Sequence, residues 1–164
     1  MNPIDSVKTL ASMLLAKDWK IALAESCTGG LVCATLTELA GSSEWFERGY
    51  ITYSNDAKVE CLGVPGELIE TFGAVSEQVA QAMAQGAQQT SGANVAISIT
   101  GIAGPSGGSP EKPVGTVCFG WAIQTSSTEN RVTSKTMHFG GDRSAIREQA
   151  KDFALAELIA LLRN

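Results

Sequence analysis

The run Ile21-Ala-Leu-Ala-Glu25-Ser26-Cys27-Thr28-Gly29-Gly30-Leu-Val32 constrains this chain more than any other segment. Its apolar start ends in a polar turn with two glycines, and an amphipathic stretch follows at once. That order reads as a strand running through a tight turn into a helix. Such a junction brings backbone N–H groups and hydroxyls together, which suits a phosphate, a carboxylate or a developing oxyanion. A second polar and glycine-rich block follows another apolar run: Ser98-Ile-Thr100-Gly101-Ile-Ala-Gly104-Pro105-Ser-Gly107-Gly108. Two such loops make a small-molecule site the leading expectation.

The spacing of apolar residues predicts helices that alternate with short strands. A first helix, capped by Asp5 or Ser6, runs to about Lys17. A strand follows at Ile21–Ala24, then a helix from about Gly29 to Leu39 capped by Ser26 or Thr28. Trp45–Tyr53 has strand composition. Asn55–Gly63 reads as a short helix, and Pro65 opens another to about Phe72. Ser76 starts a helix that Gly92 ends, and Asn94–Thr100 is a strand. Val114–Thr125 and Asn130–Phe139 resemble an antiparallel pair. A C-terminal helix follows Gly140-Gly141-Asp142 and extends from Arg143 to Leu162. The expected fold is a three-layer α/β single domain over residues 1–164, with a mixed sheet flanked by helices.

Composition narrows the partners. The 164 residues carry a formal net charge of −5 with no basic run, so nucleic acid is not an expected partner. No stretch approaches the roughly 20 apolar residues that span a bilayer, and the N-terminus lacks the features of a signal peptide, so no membrane partner is expected and a cytoplasmic setting is. Cys27, Cys33, Cys61 and Cys118 form no CxxC pair, and His138 is the single histidine. Neither a metal site nor a cofactor is expected from these residues.

A hydrolytic centre without a dependable histidine needs another base for a serine. Lysine is the natural choice if burial makes it partly neutral. Lys58, after the aromatic-polar stretch Thr52-Tyr53-Ser54-Asn55-Asp56-Ala57, can turn back into a pocket, although most lysines are solvated. Ser26 and Ser43 are the candidate nucleophiles. Thr28 and Gly29 in the first loop, Thr100 and Gly101 in the second, Tyr53, and Arg143 at a helix start are the candidate substrate-binding residues. An arginine in a first helical turn opposes the helix dipole, which favours a functional role for Arg143. The aromatic residues Trp45, Phe46, Tyr50 and Tyr53 could stack on a flat ring, but strand aromatics more often belong to a core. Cys27 is a weaker nucleophile candidate, because only the helix terminus would lower its pKa.

Taken together, the segments Ala24–Gly30, Gly41-Ser-Ser-Glu-Trp-Phe46, Tyr53–Lys58, Gly73-Ala-Val-Ser76, Ser98–Pro105 with Gly107-Gly108, Lys112–Val117 and Gly141-Asp-Arg143 resemble the CinA C-terminal domain family. They occur in the family's order and cover nearly the whole chain. The resemblance implies hydrolysis of the carboxamide of nicotinamide mononucleotide (NMN) to nicotinate mononucleotide and ammonia, within pyridine-nucleotide salvage. It also implies a metal-independent Ser/Lys mechanism and a homo-oligomer. The family pattern favours Ser43 as nucleophile with Lys58 as base, while the residues themselves keep Ser26 as its rival. A non-catalytic nucleotide-binding module, linked to competence or DNA damage, is the alternative from a different class.

Overall fold

A computed structural model describes residues 2–164. In chain order it contains α1 (Pro3–Lys17), β1 (Ile21–Glu25), α2 (Leu31–Thr37), a 3-10 turn (Ser42–Glu44), β2 (Phe46–Ile51), α3 (Asn55–Leu62), α4 (Gly66–Phe72) and α5 (Glu77–Ser91). These are followed by β3 (Val95–Gly101), β4 (Thr116–Gln124), β5 (Asn130–His138) and α6 (Arg143–Arg163). Among the described residues the strands form one sheet in the order β2-β1-β3-β4-β5. β1 pairs parallel with β2 and β3, and the β3–β4 and β4–β5 pairs are antiparallel.

Strand alternation explains the three layers. Ile21 and Leu23 of β1 join Ile97, Ile99, Phe119 and Trp121 in a core with α1, α2 and α6, through residues such as Leu10, Leu14, Leu36, Leu155 and Leu158. The opposite face is built from small residues. Ala24 and Ala96 meet Leu62, Ile69, Val79 and Met83 of the α3–α5 layer. Gly120 lies opposite Ser98, whose hydroxyl donates to the Ala80 carbonyl of α5. The small face lets α5 lie close against the sheet, while large aliphatic and aromatic side chains fill the other side.

The connections fix where a ligand can sit. β1 leads through α2, on one face, to β2. β2 returns through α3, α4 and α5, on the other face, to β3. The chain therefore leaves the carboxyl ends of β1 and β2 on opposite faces of the sheet, and a cleft opens at the ends of β1 and β3. Ser26 follows β1 directly, and Gly101 ends β3.

Two helix starts differ from the sequence expectation. Asn2, and neither Asp5 nor Ser6, caps α1, with its side chain accepting from the Ile4 N–H at 2.8 Å. Pro3 fits the first helical position because its missing N–H would have no intrahelical partner there. α2 begins at Leu31 rather than Gly29, because Gly29 and Gly30 both adopt positive φ (58° and 105°). That extension moves Ser26 and Thr28 out of capping range. Trp45 lies before β2 and is fully buried in the core.

Gly86 lies in the middle of α5, where alanine ordinarily adds helix stability. Here a Cβ would come within 2.0 Å of the Leu62 carbonyl at the end of α3. Overpacking against backbone outweighs the propensity gain. Gly86→Ala is expected to destabilise the protein by about 2 kcal/mol, measured by urea unfolding.

Candidate active site

Among the described residues, Lys58 is the cationic side chain that the fold hides most completely, at 1% exposure. It projects from the first turn of α3, which Ser54 caps by accepting from the Ala57 N–H. Its Nζ lies 3.1 Å from Ser26 Oγ and donates to the carbonyls of Thr52 (2.9 Å) and Tyr53 (3.2 Å). Parallel pairing explains this meeting across the chain: Glu25 lies opposite Ile51, so the residues following both strands converge. Burial without a carboxylate partner lowers the Lys58 pKa below the ordinary lysine value, and only Cys27 opposes that. A hydroxyl thus lies within hydrogen-bond reach of an amine biased toward its neutral, proton-accepting form.

The pair opens onto a cleft of about 280 Å³ at the ends of β1 and β3, lined by Ser26, Cys27, Tyr53, Asn55, Lys58, Thr100, Gly101, Arg143 and the loop from Ile102 to Gly108. Thr100 is buried, and its hydroxyl donates to the Ala74 carbonyl at 2.9 Å. A Cβ on Gly101 would press on Val117 and on Cys27 Sγ, so glycine keeps the floor open. Tyr53, 56% exposed, stands at the mouth, where its hydroxyl accepts from Arg143 at 3.0 Å. Arg143 also donates to the Gly104 carbonyl at 2.7 Å, which ties the start of α6 to the glycine loop.

Glu25 anchors the turn that carries Ser26. Its fully buried carboxylate accepts from the N–H groups of Gly30 (3.2 Å), Val32 (3.0 Å) and Cys33 (2.9 Å). A strand residue thereby caps the helix that follows it, supplying the acceptor that Ser26 and Thr28 do not. Glu25 was visible in the sequence only as a flanking residue. Arg147, four residues after Arg143 on α6, donates to the carbonyls of Cys27 (3.1 Å) and Thr28 (3.0 Å), and no motif announced it.

The remaining candidates lie elsewhere. Ser43 is exposed in the 3-10 turn that precedes β2, at the end of the sheet where Ile21 pairs with Phe46. Six residues of β2, about 20 Å of strand, separate that end from Lys58. Thr28 is fully buried and gives its carbonyl to Arg147, and the Gly29 N–H donates to the Ser26 carbonyl. Neither Thr28 nor Gly29 lines the cleft. Cys27 does line it, but burial pushes its thiol up to about 11. His138 borders a separate, larger cleft of about 680 Å³, in which Ser134 and Thr136 both donate to Glu77 and Lys112 donates to the Phe72 carbonyl. That cleft holds no pairing of a hydroxyl with an amine. Among the described residues, no group of His, Cys, Asp or Glu is placed to hold a metal ion, and no helix is long and apolar enough to cross a membrane.

Comparison with known proteins gives a consistent result. The CinA C-terminal domain model matches residues 4–162. The chain is 53% identical over 146 residues to nicotinamide-nucleotide amidohydrolase PncC of Enterobacter agglomerans, covering 89% of this chain and 87% of that protein. It is 46% identical over 162 residues to the protein of the same name from Pseudomonas putida, covering 98% of each. Among solved structures, the competence/damage inducible protein CihA from Agrobacterium tumefaciens matches with a TM-score of 0.93 at 43% identity, covering 100% of this chain and 98% of that one. Some relatives are longer: the chain spans 36% of the length of a putative competence-damage inducible protein of Symbiobacterium thermophilum, with 48% identity over 153 residues.

The three hydrogen bonds to Glu25 are charge-assisted and buried, and a neutral amide supplies only one acceptor oxygen. Glu25→Gln is expected to cost about 2 kcal/mol of stability, measured by urea unfolding.

Proposed function

The chain belongs to the CinA C-terminal domain family, and from that premise we propose that it hydrolyses the carboxamide of NMN to nicotinate mononucleotide and ammonia, with Ser26 as nucleophile and Lys58 as general base. One observation carries the assignment of roles: the buried Lys58 amine lies 3.1 Å from Ser26 Oγ. Ser43 has no such partner, so the geometry favours Ser26, the rival of the serine that the family pattern suggested.

The steps follow from the geometry. Neutral Lys58 takes the Ser26 proton as Oγ attacks the amide carbon. The Cys27 N–H, next to the nucleophile in a turn that lines the cleft, donates to the developing oxyanion; a donor of this kind commonly contributes about 3 kcal/mol. The C–N bond then breaks, and Lys58 returns the proton to the departing nitrogen, which leaves as ammonia. Water, deprotonated by Lys58, attacks the Ser26 ester; the ester bond breaks, nicotinate mononucleotide leaves and Ser26 regains its proton. Tyr53 flanks the pyridine, while Arg143, Thr100 and Gly101 receive the ribose and phosphate. Arg143 can exchange the Gly104 carbonyl and the Tyr53 hydroxyl for phosphate oxygens. The proposal takes residues 1–164 as one amidase domain, acting in the cytoplasm as a homo-oligomer on a free nucleotide. It places the reaction in pyridine-nucleotide salvage and requires no cofactor.

Ser26→Ala and Lys58→Ala are each expected to lower ammonia release from NMN by about a thousandfold or more, while Ser43→Ala stays within about twofold of wild type. Cys27→Ser should retain activity, which separates this scheme from thiol catalysis. Because the base must be neutral, kcat/KM should rise with pH through the Lys58 pKa, with the limb centred below 10.5. A wild-type rate in Ser26→Ala or Lys58→Ala, or a rate that falls as pH rises through that limb, would count against these roles. Arg143→Ala should raise KM more than it lowers kcat; an unchanged KM would remove Arg143 from phosphate binding.

A further inference from the structure

We infer that Arg147 is a positioning residue for the nucleophile, holding the backbone after Ser26 so that the serine oxygen faces Lys58 and the Cys27 N–H faces the scissile amide. The inference rests on the Ser26/Lys58 reading above and adds a residue to it.

Peptide groups are rigid planes, so a fixed carbonyl also fixes the N–H on the opposite side of the same plane. Three consecutive planes follow Ser26, and each has its carbonyl held. The Ser26 carbonyl accepts from the Gly29 N–H at 3.0 Å. The carbonyls of Cys27 and Thr28 accept from Nε and Nη2 of one guanidinium, at 3.1 and 3.0 Å; the Thr28 plane carries the Gly29 N–H that holds the Ser26 carbonyl, and through that bond the guanidinium fixes the Cys27 N–H. A planar fork with donors at set separations matches two successive carbonyls, which a lysine point charge cannot do. Glu25 grips the downstream N–H groups of Gly30, Val32 and Cys33. The turn is therefore held from both sides, on its carbonyls by a cation and on its N–H groups by an anion.

The placement on α6 is specific. Arg143 and Arg147 are four residues apart and share a helix face. Arg143 reaches the mouth of the cleft, whereas Arg147 is absent from the cleft lining and donates to the turn behind it. Its contribution must therefore pass through Ser26 and Cys27. Ile146 and Ala150, buried on either side of it in sequence, seat the helix in the core independently of the guanidinium.

The experiment uses a readout that does not depend on the identity of the substrate. Phenylmethanesulfonyl fluoride sulfonylates an activated serine, forming an O–S bond and releasing fluoride, and intact-mass and peptide analysis reports the rate at Ser26. Arg147→Ala is expected to slow this labelling by about tenfold to a hundredfold, with kcat for ammonia release from NMN falling in step and KM within about twofold. Added guanidinium should restore part of both rates, and Arg147→Lys should be intermediate. Labelling at the wild-type rate in a folded Arg147→Ala protein would overturn the inference. So would slowing that follows loss of near-UV circular dichroism in both variants and is not relieved by guanidinium. Slowed labelling that guanidinium relieves, in a protein whose wild type releases no ammonia from NMN, would support the positioning role and overturn the amidase reading alone.

Discussion

A lysine amine buried beside a serine hydroxyl, with no carboxylate to neutralise it, is the contact on which the rest of this structure turns. An ammonium group is costly to take out of water, and the backbone carbonyls around Lys58 offset only part of that cost. The protein holds this arrangement by starting α3 a short turn after β2, which buries the lysine against the cleft. Burial biases this amine toward its neutral, proton-accepting form, the kind of perturbation expected at a functional site.

The sheet order makes the contact possible. β1 lies between β2 and β3, so the loops after all three gather at one end. Ser26 comes from the first of these loops, Lys58 from the helix after the second, and Thr100 and Gly101 from the third strand. α6 then closes one side of the cleft with Arg143 at its mouth and Arg147 behind the turn that carries Ser26. The candidate site is a property of this end of the sheet, assembled from segments 32 residues apart in the case of Ser26 and Lys58.

Much of this was legible in the sequence. The strand-turn-helix block at Ile21–Val32, the α5 start at Ser76 and the antiparallel pair before α6 were readable because apolar period and capping residues agreed at those places. The three layers followed from alternation of strands and helices. The sequence offers Lys58 as the base a chain with one histidine would need, and the fold buries it beside Ser26 in the cleft. Its partner was harder to read. Ser43 is nearer to Lys58 in sequence, and only the parallel register of β1 and β2 shows that Ser43 lies at the far end of a strand while Ser26 lies beside the lysine. Thr28 and Gly29 read in the sequence as part of a ligand loop, but the two positive-φ glycines turn the chain before α2, and neither residue lines the cleft. The grip of Glu25 on the following helix comes from a strand residue five to eight positions upstream, outside the usual capping position, and that of Arg147 on the turn reaches across about 120 residues, so no local pattern reveals either.

The most direct test of the account is to acid-quench the enzyme during turnover of NMN and map the covalent ester by peptide mass spectrometry. The account predicts a nicotinate-nucleotidyl adduct on the peptide containing Ser26, attached at that oxygen. An adduct on Ser43 or on Cys27 would contradict it.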